Sequence, residues 1–186
     1  MFTSPAGRET PQRHILIAGN TFAPEAPMPT TLPPLPLGGG VGVKLQGVED
    51  AEVSENTFDR LGTAILINGM EGTDSADVRV LDNKVKDVVG TGSTAEAEGI
   101  RVHVPSGTTV GGQLVQGNSI EGGAGDGIVM NAGGVLSGVI LDKNKVAGNA
   151  GDGIVLSGLT GELTVIGNTV EENGGTGAAF KTFVLP

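Results

Sequence analysis

Val139-Ile-Leu-Asp-Lys-Asn144-Lys-Val146 and Leu163-Thr-Val-Ile-Gly-Asn168-Thr-Val170 share one pattern, an asparagine with an apolar residue three places before it and another two places after it. Four further segments carry it: Ile15-Leu-Ile-Ala-Gly-Asn20-Thr-Phe22, Ala51-Glu-Val-Ser-Glu-Asn56-Thr-Phe58, Val78-Arg-Val-Leu-Asp-Asn83-Lys-Val85 and Gln113-Leu-Val-Gln-Gly-Asn118-Ser-Ile120. Successive asparagines stand 36, 27, 35, 26 and 24 residues apart. The blocks alternate with period two and are rich in β-branched residues, which marks strands rather than helices. Fixed strand cores at a varying period describe a constant cross-section interrupted by loops of unequal length.

A second strand precedes each next block: Gly42-Val-Lys-Leu45, Ala64-Ile-Leu-Ile67, Gly99-Ile-Arg-Val102, Gly127-Ile-Val-Met130, Gly153-Ile-Val-Leu156 and Gly177-Ala-Ala-Phe180. Alternation turns Val43, Ile65, Ile100, Ile128, Ile154 and Ala178 inward, and Lys44, Leu66, Arg101, Val129, Val155 and Ala179 outward. Strands that pair with their equivalents one repeat away build an all-β parallel solenoid of about six coils with an aliphatic core. Asn20, Asn56, Asn83, Asn118, Asn144 and Asn168 then stack as a structural ladder. At a tight bend, asparagine tolerates left-handed backbone angles and bonds its own turn, and its amide reaches the copy in the neighbouring coil.

The Gly-Asn blocks (Gly19-Asn20, Gly117-Asn118, Gly167-Asn168) and the Asp126-Gly127-Ile128 and Asp152-Gly153-Ile154 starts resemble the right-handed parallel β-helix repeats of the pectin-lyase-like superfamily. The resemblance runs over residues 13–182. It implies a single-stranded right-handed parallel β-helix at an extracellular or cell-surface location. Lyases, epimerases, glycosidases, tailspikes and non-catalytic modules share that fold, so it specifies no activity.

Composition narrows the classes of function. The 186 residues fit one domain, 1–186, with 11 basic and 21 acidic side chains and a formal charge of −10. Such a chain repels phosphates, so neither nucleic acid nor an anionic membrane is an expected partner. The absence of cysteine excludes disulfides and thiolate zinc sites. No run is long and apolar enough to span a bilayer, and Met1 to Arg13 holds no apolar core of a signal peptide. Without Trp or Tyr, the usual aromatic platforms for sugars are missing.

Residues 23–40, rich in Pro and Gly, leave the strand ladder as a loop, because proline lacks the donor that a central strand needs. Residues 71–76 and 90–98 read as polar loops. Neither end shows an amphipathic helix that would cap a solenoid. A bare parallel edge invites end-to-end self-association, or points to missing flanking coils.

Candidate chemistry concentrates before the second strand. Aligned coils place Glu98, Asp126, Asp152 and Thr176 in one column, making the three carboxylates a candidate calcium site; otherwise each Asp serves its own turn before Gly. No other cofactor is expected. The outward column Gln46, Asn68, His103, Asn131, Ser157, Lys181 is polar throughout, and His103, Asn131 and Ser157 are the candidate contacts to a polysaccharide. Some superfamily lyases use an arginine base beside acidic calcium ligands, and Arg101 with Glu98, Asp126 and Asp152 is similar by residue type. The resulting expectation is a non-catalytic β-helix segment of a larger surface or carbohydrate-associated protein. A polysaccharide lyase or epimerase acting on an acidic glycan is the alternative, and a phage-fibre or adhesin stalk a further one.

Overall fold

The computed structural model describes residues 11–24, 40–71, 75–89 and 97–181. The Pro-rich excursion over 25–39 and the loop over 90–96 lie outside them. The first turns of chain carry β1 (Gln12–Ala18), β2 (Thr21–Phe22) and β3 (Val41–Gln46), then β4 (Val48–Ser54), β5 (Thr57–Asp59) and β6 (Thr63–Asn68). Next come β7 (Ser75–Leu81), β8 (Lys84–Lys86) and β9 (Ile100–Val104), followed by β10 (Thr109–Gly111), β11 (Leu114–Gln116), β12 (Ser119–Glu121) and β13 (Ile128–Ala132). The chain continues through β14 (Val135–Ser137), β15 (Val139–Asp142), β16 (Lys145–Ala147) and β17 (Ile154–Ser157), then β18 (Leu163–Ile166), β19 (Thr169–Glu171) and β20 (Ala178–Lys181).

Each strand pairs in parallel with its equivalent one turn of chain away, so the strands form three sheets. The first sheet runs β1-β4-β7-β11-β15-β18, with β10 and β14 joined at its side. The second runs β2-β5-β8-β12-β16-β19 and the third β3-β6-β9-β13-β17-β20. Register follows the repeat: Ile17, Val53, Val80, Val115, Leu141 and Val165 fall in one column, and Phe22, Phe58, Val85, Ile120, Val146 and Val170 in another. The middle members of both columns are fully buried, each Val or Ile contributing about 1.5–3 kcal/mol by leaving water. The Phe22 and Phe58 rings stack at 4.9 Å between centroids and 6° between planes, continuing the second column. The core is therefore a set of stacked aliphatic columns, with the phenylalanines at one end of one of them.

The ladder forms as a set of repeated bonds. The backbone N–H and Nδ2 of each asparagine from Asn20 to Asn144 donate to Oδ1 of the asparagine one coil on, at 2.8–3.1 Å. From Asn56 onward, Nδ2 also donates to a carbonyl of the coil before, such as Val80 for Asn118 at 2.9 Å. The asparagines do not themselves take the left-handed conformation. That falls on the residue before each one: Gly19, Glu55, Asp82, Gly117, Lys143 and Gly167, with φ between 51° and 68°. Placing the bend one residue earlier leaves the asparagine amide facing along the stack.

Three further features depart from the sequence reading. Ser75 and Ala76 belong to β7, paired with Val110 and Gly111, not to the preceding loop. The short strands β10 and β14 extend the first sheet, burying Val110 and Leu136. A second amide column follows the first five residues on: Gly123 N–H donates to Asn149 Oδ1 at 3.0 Å and Asn149 N–H to Asn173 Oδ1 at 3.1 Å.

Candidate functional site

The third sheet carries the polar outward column into register: Gln46 faces Asn68, Asn68 faces His103, His103 faces Asn131, and Asn131 faces Ser157. Asn131 is exposed, whereas Asn68, His103 and Ser157 are half-buried. Ser157 Oγ donates to the Met130 carbonyl at 3.4 Å, so its hydroxyl is turned toward the backbone of the neighbouring strand. Arg101 stands two residues before His103 on the same face, in column with Leu66 and Val129. Val129 and Val155 face outward yet are 7% exposed, so the apolar strip beside Arg101 is covered.

The acids share a column in backbone terms. Gly99 N–H donates to the Asp126 carbonyl, Gly127 N–H to that of Asp152, and Gly153 N–H to that of Thr176. Their carboxylates do not converge. Asp126 Oδ1 accepts the Asp152 N–H at 2.7 Å, and Asp152 Oδ1 accepts the Thr176 N–H at 2.5 Å. Each aspartate thus ties its own corner to the next coil's, a bond between coils in place of the own-turn bond expected of aspartate before glycine. Glu98 turns aside to Arg101: one guanidinium nitrogen, Nη1, donates to Oε1 at 3.0 Å and to Oε2 at 3.1 Å. Both side chains are nearly buried, at 15% and 12% exposure. Among the described residues no group of three or more His, Asp or Glu side chains is arranged to hold a metal ion.

The chemistry this permits is narrow. An arginine carries its charge at physiological pH, and its planar fork suits a carboxylate partner. Arg101 in this arrangement holds Glu98 beside the start of β9.

A second polar cluster lies on the first sheet, unnoticed in the sequence because its members come from three repeats. His14, Ile15, Leu16, Asp50, Glu52 and Arg79 line an open groove of about 300 Å³. His14 Nδ1 lies 2.6 Å from Asp50 Oδ2, and Arg79 sits 3.5 Å from Asp50 and 3.3 Å from Glu52. The signal was present in the alignment: His14, Asp50 and Asp77 each stand six places before their asparagine, and Leu16, Glu52 and Arg79 four places before. Two bases against two acids leave little net charge to draw a ligand, and exposed pairs of this kind contribute at most about 1 kcal/mol each.

Residues 108–182 match the family model described as a right handed beta helix region. The chain is a parallel β-helix repeat protein. The stretch matched covers the most regular part of this β-helix, where the asparagine, glycine and aspartate columns coincide. No curated protein and no solved structure matches the chain.

Proposed function

We propose that this β-helix is a non-catalytic scaffold, a segment of a larger surface or carbohydrate-associated protein. The observation that supports it is the fate of the chemistry-bearing residues on the third sheet. Arg101, the one candidate base, is spent on Glu98, and Asp126 and Asp152 are spent on backbone amides. Side chains held in this way stiffen the rungs, which suits a spacer or a platform. The same face keeps a polar strip of His103, Asn131 and Ser157 along which a polar chain molecule could rest without being cleaved.

Incubation of the protein and of Arg101→Ala with a panel of acidic polysaccharides, with and without calcium, separates scaffold from enzyme. The scaffold reading expects no ultraviolet-absorbing product and no new reducing ends from either protein. It also expects Arg101→Ala to be less stable by roughly 2–4 kcal/mol, since removing one member of a nearly buried ion pair leaves the other charge behind. Product formation by the parent chain, lost in Arg101→Ala at unchanged stability, overturns it in favour of a lyase or epimerase.

A further inference from the structure

The exposed apolar side chains that face outward gather on the first sheet. Leu16 is 68% exposed, Ile140 41% and Ile166 59%. Among the described residues, the outward faces of the second and third sheets carry no exposed large hydrophobic side chain. Val41 and Val165 are members of inward columns, and Val135 lies to the side on β14, before the left-handed bend at Gly138. Coils added along the stack would extend the first sheet and leave its outward side chains on the same face.

Two outward columns cross β7, β11, β15 and β18. One is Arg79, Leu114, Ile140, Thr164, and the other Leu81, Gln116, Asp142, Ile166. The first reads polar, apolar, apolar, polar, and the second apolar, polar, polar, apolar. Both are palindromes about the same line, midway between β11 and β15. Leu81 and Leu114 are half-buried, while Arg79 and Thr164 are exposed. Gln116 Nε2 donates to Asp142 Oδ2 at 2.6 Å across that line. A face that reads the same on reversal matches a second copy of itself, whereas an unrelated partner imposes no such symmetry.

We propose that two copies pack first sheet against first sheet, about a two-fold axis lying along the strand direction midway between β11 and β15. The sheets stack about 10 Å apart, with their strands aligned and the two stacks pointing opposite ways. Leu114 meets Ile140 of the second copy, and Leu81 meets its Ile166. Gln116 comes over Asp142, so in these columns an amide faces each carboxylate and no two carboxylates oppose. Arg79, already held by Asp50 and Glu52, comes over Thr164 at the rim. The contact is isologous and closes as a dimer. Four rungs at about 4.8 Å keep it small, in the range of weak interfaces. The inference is independent of the scaffold reading, which concerns the third-sheet side chains.

Sedimentation equilibrium of the full chain over a wide concentration range tests this. The parent mass should rise from monomer toward dimer and stop there. Ile140→Arg enters the contact twice per dimer and should weaken association about a hundredfold or more. Leu16→Arg is the control, because Leu16 is the most exposed apolar side chain on the face yet lies outside the four paired strands, so association should be unchanged. Thermal melting confirms that both variants, substituted at exposed positions, remain folded. The chain has no cysteine, so single thiols report the register. With a short bis-maleimide, Arg79→Cys mixed with Thr164→Cys should give a cross-linked dimer. Neither variant alone should, since its two copies lie three rungs apart, about 14 Å along the stack. A constant monomer mass up to the solubility limit overturns the proposal in favour of a different occupant of this face. Equal losses in Leu16→Arg and Ile140→Arg, or cross-linking of either thiol variant to itself, overturn the two-fold register.

Discussion

Removing Asn118 is the sharpest perturbation of the stack, because its side chain serves both neighbouring coils. Its Oδ1 accepts the Asn83 N–H at 2.9 Å and Asn83 Nδ2 at 3.0 Å, and its Nδ2 reaches Val80, Gln116 and Asn144. Asn118 and Asn83 are buried, at 1% and 0% exposure, so water cannot replace what is lost. In Asn118→Ala the Asn83 N–H has no acceptor and Asn83 Nδ2 keeps only the Val53 carbonyl. A buried donor left unmade costs about 1–3 kcal/mol, so the two together cost about 3–5 kcal/mol. Asn20→Ala is the internal control. Its Oδ1 serves no described group and the residue is exposed, so its loss should stay within about 1 kcal/mol. Denaturant unfolding gives the global comparison, and native-state hydrogen exchange gives the local one. The Asn83 amide should lose about two orders of magnitude of protection in Asn118→Ala, because 1.4 kcal/mol is a factor of ten. Equal costs for the two variants, or an Asn83 amide that stays protected, would refute the view that the ladder is a chain of mutually dependent bonds.

Two further outcomes test the corners and the surface charges. A Cβ on Gly127 would lie 2.6 Å from the Gly153 carbonyl oxygen, which is backbone and cannot swing away, so Gly127→Ala should cost several kcal/mol by thermal melting. Gly148, by contrast, has φ +63, a Cβ there would meet only the Gly122 nitrogen at an ordinary 3.9 Å, and Arg60, Asp87 and Glu172 take the equivalent conformation at φ 50–55; Gly148→Asp should therefore cost no more than about 1 kcal/mol. A cheap Gly127→Ala or a costly Gly148→Asp would contradict the stated corner geometry. Hydrogen bonds from Lys145 and then Ser119 lower the Glu121 carboxyl from its ordinary value of 4.5. A carboxyl depressed in the folded state adds stability above its unfolded pKa, and that contribution is lost as pH falls through the folded value. An NMR titration should place Glu121 below 4.5 in the parent and closer to it in Lys145→Met, and no movement would contradict the 2.9 Å pair. Being exposed, this pair should leave the unfolding midpoint nearly unmoved.

Which residues stack was legible from the chain alone, down to individual columns. Val43, Ile65, Ile100, Ile128 and Ile154 share the predicted register, as do all six asparagines. A parallel in-register stack places like on like, so aligning the repeats already aligns the neighbours in space. The bend before each asparagine was harder to see, because Glu55, Asp82 and Lys143 hold a left-handed angle that glycine holds in the other coils. Residue type there does not announce the conformation. The strands β10 and β14 were missed because they occur in only part of the chain and repeat no motif.

What the one-dimensional pattern determined is the order and register of the stack, since periodic apolar and amide positions admit only one alignment that buries them all. What the tertiary structure decided is which partner each polar side chain takes. Glu98, Asp126 and Asp152 occupy one column, yet Glu98 swings along its own rung to Arg101 while the aspartates reach to the next coil's backbone. The glutamate is longer by one methylene and has a cation three residues on in its own coil. The aspartates are short, and the nearest donor is the amide one strand spacing along the axis. Reach and rotamer, set only once the coils are stacked, separate an ion pair from a backbone tie.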